Sequence, residues 1–147
     1  MTRINAHIPV DKLCDEHLRA EHREIKRICN RYTQRLAKNK FNDIPDSFRL
    51  GTGHELFFVN KPAYTRDRYI ALRNECTARG FKMTNFESCW AVYKQTDVVK
   101  FVVYRYNEDD NNLIRKRISE RLLGMQRIHY RGLSTTAQKM IDLLNQT

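Results

Sequence analysis

The sequence predicts a mostly α-helical, single-domain protein with long irregular connectors, and three observations predict it. Apolar residues recur at helical spacing over a long early stretch, again over 63–79 and again over 113–123. Only one short run carries the residue types of a strand. A chain of 147 residues is one ordinary domain, here 1–147, long enough to bury a core without disulfides or a structural metal.

The first element starts near Pro9, which suits a first turn, and Asp11, a candidate N-cap. Leu13, Cys14, Leu18, Ile25, Ile28, Cys29, Tyr32 and Leu36 follow at helical intervals, so the spacing predicts one helix over about 10–38, stopped by Lys38-Asn39-Lys40. Between Leu18 and Ile25 the positions due to be apolar fall among Glu21, His22, Arg23 and Glu24. Two readings stay open there. One is a solvated face laced by Glu–Arg pairs at spacings of three and four. The other is a carboxylate within a partly buried basic cluster, where its protonation is tuned for chemistry.

The stretch FNDIPDSFRLGTGHELFFVNKPAY carries Pro45, Gly51, Gly53 and Pro62 and reads as an irregular connector. Gly51-Thr52-Gly53 lacks the GK[S/T] ending of a phosphate loop, so tight backbone packing accounts for its glycines better. Helical spacing resumes from Ala63 to Arg79 through Tyr64, Ile70, Leu72, Cys76 and Ala78, with Gly80 as its stop. VVKFVVYRY is β-branched and aromatic and as an isolated stretch reads as a strand, which leaves two alternatives open near 98–106, a short hairpin or irregular to helical structure. Asn107 to Asn112 is a polar turn, and Leu113 to Leu123 is a helix with Arg115, Lys116, Arg117 and Arg121 on its surface. Ser134 to Asn145 predicts a last amphipathic helix, capped by Ser134 or Thr135, with Ala137, Met140, Ile141, Leu143 and Leu144 as its apolar side.

Cys14, Cys29, Cys76 and Cys89 show no CxxC or Cys/His ligand spacing, which predicts reduced packing thiols and no metal site. No apolar run approaches the ~18 residues that span a bilayer, and MTRINAHIPV lacks the apolar core of a secretory signal. Cytoplasm is the expected location. Twenty-seven Lys plus Arg against seventeen Asp plus Glu give a net charge of +10, spread along the whole chain. That imbalance attracts polyphosphates, and nucleic acid is the expected partner.

MTRIN at the start, HLRAEHREI in the first helix and LGTGHELFF before a helix ending in RGF together resemble the phage pyrimidine-dimer DNA glycosylase and abasic-site lyase family, the endonuclease V type. The likeness runs from Met1 to about Phe86, fades through Tyr106, and resumes weakly in the basic helix and in HYRG at 129–132. The resemblance implies that Met1 is removed and that the α-amino group of Thr2 is the nucleophile. A terminal amine titrates at about 7.7–8.0 against ~10.4 for lysine, so more of it is neutral and reactive near pH 7. Attack on the anomeric carbon would expel the base and leave an imine, from which β-elimination cuts the strand.

The resemblance further implies that Glu24 assists as carboxylate and proton shuttle. Arg3, Arg23 and Arg27 would grip phosphates and His17 would lie near the reacting sugar. Arg117, Tyr130 and Arg131 complete the expected DNA-binding set, while Glu21, Asn5 and His54 fall to supporting roles. Glu16 stands where the family has glutamine, His22 stands where it has tyrosine, and QRIHYRG keeps only part of its C-terminal aromatic run. The implied protein is a monomer without metal or organic cofactor. Its implied substrate is duplex DNA with ultraviolet lesions or abasic sites, kinked so that the opposite base is extruded, in the cytoplasm of a phage-infected host. Two alternatives remain: a shifted lesion range, such as oxidised or ring-opened purines or abasic sites alone, and a noncatalytic damaged-DNA-binding module.

Overall fold

The computed structural model describes residues 4–95, 97 and 99–146. Among them, α1 (Asp15–Glu24), α2 (Arg27–Lys38), α3 (His54–Phe57), α4 (Pro62–Ala78), α5 (Glu108–Leu123) and α6 (Ala137–Leu144) enclose the core, with one antiparallel hairpin of β1 (Ile128–Tyr130) and β2 (Leu133–Thr135). The helical class predicted from spacing is the observed one.

The single helix expected over 10–38 is three pieces. A 3-10 turn at Val10–Lys12 ends at extended Leu13, and the helix restarts with Cys14 as N-cap. A second interruption at Ile25–Lys26 separates α1 from α2, spanned by tight Ile28 N–H to Ile25 and Cys29 N–H to Lys26 carbonyl bonds. The bend has a packing cause: α1 lies against α4, whereas α2 lies against α3 and a 3-10 turn at Glu87–Val92. Spacing alone concealed it, because Ile25 and Ile28 are both fully buried and carry the apolar period across the bend.

The hairpin falls at 128–135, not near 98–106. Residues 99–107 hold no strand, and Val102 and Val103 face solvent with the Val102 N–H donating to the Asn60 carbonyl. Phe101 and Tyr104 pack inward, against Tyr32 and Tyr93 and against Phe57, Phe58 and Tyr64 respectively, and Val99 packs beside Phe101 on the Tyr32, Leu56 and Val59 cluster. The real hairpin pairs Ile128 with Thr135, His129 with Ser134 and Tyr130 with Leu133. Its turn residues Arg131 and Gly132 both have positive φ, 52° and 81°, the geometry that matches strand twist in a two-residue turn. The last helix starts later than predicted, its cap being Thr136, whose hydroxyl accepts from the Lys139 N–H; Ser134 and Thr135 belong to β2. The helix predicted from 113 begins at Glu108 under an Asn107 cap.

The N-terminal segment is part of the core. Ile4, Ala6 and Ile8 are buried together with Leu18, Ile28, Phe58, Leu72, Ile114 and Ile118. Each such aliphatic burial contributes roughly 1.5–3 kcal/mol, so the segment is fixed by the same term that holds the helices. Cys14, Cys29 and Cys76 are buried free thiols, and no helix among the described residues is long and apolar enough to cross a membrane.

Candidate active site and nucleic-acid face

Hydrogen bonds fix the N-terminal segment residue by residue. The Ile4 N–H donates to His54 Nε2 at 3.0 Å, which leaves the His54 proton on Nδ1 to donate to the Arg49 carbonyl at 2.9 Å. Gly53 sets up His54: its φ of 90° favours glycine, and a Cβ there would meet Arg49 Cδ at 3.0 Å. Asn5 Nδ2 donates to Glu21 Oε1 at 2.9 Å. Arg68 of α4 clasps the same carboxylate with Nε at 2.7 Å and Nη2 at 3.0 Å, and gives Nη1 to the Ile8 carbonyl at 2.6 Å.

Burial alone would lower the Arg68 pKa. The Glu21 charge and its hydrogen bonds outweigh that effect and raise it, so the guanidinium stays charged in the interior. Glu21 is 2 % exposed, and the pairing identifies it as the structural carboxylate of the first helix.

Glu24 is the last residue of α1 and is half-buried. His17, Glu21 and Glu24 lie on one face of that helix, since residues three and four apart are neighbours with ~5–6 Å between Cβ atoms. The N-terminal segment therefore crosses α1 one turn before Glu24. Arg23 and Arg27 are exposed on either side of the bend, and His17 is buried. Arg27 also opens a groove of about 400 Å³ along α2, rimmed by Arg31, Arg35, Lys38 and Lys40. Thr2 and Arg3 lie outside the described residues.

The remaining expected DNA-binding residues stand elsewhere. The β1–β2 turn is bound to the opposite end of α1: Asp15 accepts from the Arg131 and Gly132 N–H groups at 3.0 and 2.9 Å and from Arg79 Nη1 at 2.9 Å. Burial would raise the Asp15 carboxyl, but those bonds prevail and hold it below the ordinary range. Glu16 does the same at His129, accepting from its N–H at 3.0 Å and from Nδ1 at 2.6 Å, which outweighs burial and lowers its pKa. The Tyr130 ring sits between the guanidiniums of Arg79 and Arg131, at 4.9 and 5.3 Å, with its hydroxyl donating to the Asp11 carbonyl. At 1.5 Å per residue, the ten residues of α1 separate this corner from Glu24 by roughly 15 Å. Arg117 is half-buried on α5, beside the Ile118 that enters the core.

Sequence reasoning missed Arg68, the residue that ties the segment to two helices. A signal existed in the spacing Thr65, Arg68, Tyr69, Leu72, Cys76, which puts an arginine at a core position of α4. The tyrosine-to-histidine departure at 22 is also accommodated inside: His22 packs on Tyr69 and Phe86 at 5.2 and 5.4 Å. Burial, with Arg73 and Lys26 nearby, pushes it below the ordinary imidazole range. Among the described residues no three His, Cys, Asp or Glu side chains converge to hold a metal ion.

A family model described as pyrimidine dimer DNA glycosylase matches residues 1–87. That span contains the anchored segment, α1 with Glu21 and Glu24, the His54 loop and all of α4. Because that match covers more than half of the 147 residues, the chain belongs to the pyrimidine dimer DNA glycosylase family, whose members are DNA glycosylases of DNA repair.

Proposed function

We propose that this protein is a bifunctional pyrimidine-dimer glycosylase and abasic-site lyase acting on ultraviolet-damaged duplex DNA, as a monomer, with the α-amine of processed Thr2 as nucleophile and Glu24 as its carboxylate partner. The observation that carries the reading is the tether of Ile4 and Asn5 to His54 and to Glu21, one helical turn from Glu24. Two residues of chain reach at most about 7 Å, so an amine at position 2 works within a short radius of that face.

The chemistry follows from the groups assembled there. Arg23 and Arg27 disfavour a protonated amine and favour its neutral, nucleophilic form. The nitrogen lone pair bonds to the anomeric carbon, the glycosidic bond breaks, and its electron pair leaves with the base. Glu24 offsets the positive charge developing on the sugar; once the amine has shed a proton, its lone pair expels the ring oxygen, the C1′–O4′ bond breaking and that oxygen taking a proton, and the imine forms. The imine is an electron sink: loss of the adjacent sugar proton to a base drives departure of the 3′ phosphate and cuts the strand. Exposed cations on the α1–α2 shoulder grip phosphates, and a kinked duplex with an extruded base presents the sugar.

A second reading keeps this chemistry and moves the lesion range. Tyr130 favours it, because its ring and hydroxyl are engaged within the protein and the family match ends at residue 87. Borohydride trapping in chelator on ultraviolet-irradiated, oxidised-purine and abasic duplexes separates the readings. Adducts on dimer and abasic DNA are the expected result. Adducts on oxidised or abasic DNA alone select the second reading, and binding without any adduct leaves a noncatalytic module. Glu24→Gln should bind damaged duplex like the parent yet cut at least a hundred-fold more slowly, the loss of one positioned acid–base group; unchanged turnover would remove Glu24 from the mechanism.

A further inference from the structure

Some of the arginines of this protein are already paired. Arg31, Arg35, Arg66, Arg68, Arg73 and Arg79 each face a carboxylate within 4 Å and are spent on internal pairing. Arg19 and Arg23 of α1 and Lys82 of the loop after α4 face none among the described residues, and all three are exposed. These three line one cleft of about 170 Å³, with His22, Met83, Thr84 and Phe86 completing its wall.

The surrounding groups leave its positive charge intact. Glu87, which follows Phe86 of the wall, is held by Arg66 and Arg73 at 2.7 and 2.8 Å, Glu21 is taken by Arg68, and Glu24, next to Arg23 in sequence, forms no ion pair with Arg19, Arg23 or Lys82. Aromatic rings stiffen the rim, the Arg19 guanidinium lying 4.8 Å from the Phe81 centroid and the Lys26 ammonium 3.8 Å from that of Phe86. His22 is buried in the wall, and its Nε2 has no hydrogen-bond partner among the described residues, a cost that a polar ligand in the cleft would offset.

We infer that this cleft is a phosphodiester site: Arg19, Arg23 and Lys82 hold a backbone phosphate of duplex DNA on the flank of the α1 face that carries Glu24. The inference rests on the reading of the chain as a DNA enzyme and extends the grip to Arg19 and Lys82, residues outside the set implied by the family motifs. Successive helix residues point about 100° apart, so a strand held at Arg23 runs beside Glu24 without covering it. Such a contact positions the duplex and carries no base information. It therefore serves damaged and undamaged DNA alike.

The test is the salt dependence of binding to an undamaged duplex, which needs no catalysis. Lys82→Gln and Arg19→Gln should each weaken binding equally on damaged and undamaged DNA and lower the slope of log K against log salt by about one. The double variant should lower it by about two, and Lys139→Gln on exposed α6 serves as the charge control. Unchanged slopes in the two cleft variants, or an equal drop in Lys139→Gln, would overturn the site. Thermal melts of all four variants should match the parent, and a lowered midpoint in a cleft variant would show a structural role and also overturn it. Absence of adduct in the parent itself would sink the proposed chemistry while the slopes still judge the cleft.

Discussion

His7 shows how one residue reports the state of the N-terminal segment. Its ring stacks on Tyr106 at 4.1 Å, and the Tyr64 and Tyr104 hydroxyls approach its two nitrogens at 3.3 and 3.4 Å. Burial, with Arg68 nearby, lowers its pKa to about 4 from 6.5. The unfolded chain thus binds the proton first, so the stability His7 lends in neutral form is complete above 6.5 and lost as pH falls towards 4. Urea midpoints over pH 4–7 should fall with acid, less steeply in His7→Gln; His22, shifted in the same direction, accounts for what remains. Histidine roles of this kind are not legible in sequence, because nothing within the MTRINAHIPV stretch announces a tyrosine 97 positions away.

Among the elements, the short connector before α4 matters beyond its length. The Gly51-Thr52-Gly53 turn reads in sequence as tight packing, which the structure shows at Gly53 and not at Gly51, where positive φ alone favours glycine. Gly53→Ala adds a Cβ against Arg49 at 3.0 Å and next to His54, whereas at Gly51 a Cβ meets nothing within 4 Å. Gly53→Ala should therefore cost about 1–3 kcal/mol and slow adduct formation, with Gly51→Ala paying backbone strain alone and leaving adduct formation closer to the parent. Thermal melts and single-turnover trapping check both halves. Helices α4 and α5 were readable because their buried residues follow local spacing. The β1–β2 hairpin was not, since its turn is secured by the Asp15 carboxylate from 116 residues away. Conversely, VVKFVVYRY has strand propensity but no partner strand, and propensity without pairing does not make a sheet.

For the whole molecule, the decisive joint is Glu21–Arg68, where the N-terminal segment, α1 and α4 meet. Removing one member strands a buried charge, so Arg68→Met should cost about 3–5 kcal/mol and lower the denaturant midpoint in a single cooperative transition. A cost under 1 kcal/mol would mean the pair is dispensable to the fold. HLRAEHREI was readable as helix carrying Arg23 and Glu24, but the joint was not, because it closes over 47 residues between two helices that look independent.

That span also sets a clock. The groups that enclose the first residues, His54 and Arg68, are synthesised 50 and 60 positions after their partners Ile4 and Ile8. At ~5–20 residues per second, translation leaves the nascent end uncovered for several seconds. Ile4 and Ile8 wait through that interval for the loop and helix that fix them, so any step that needs this segment undocked has those seconds in which to act.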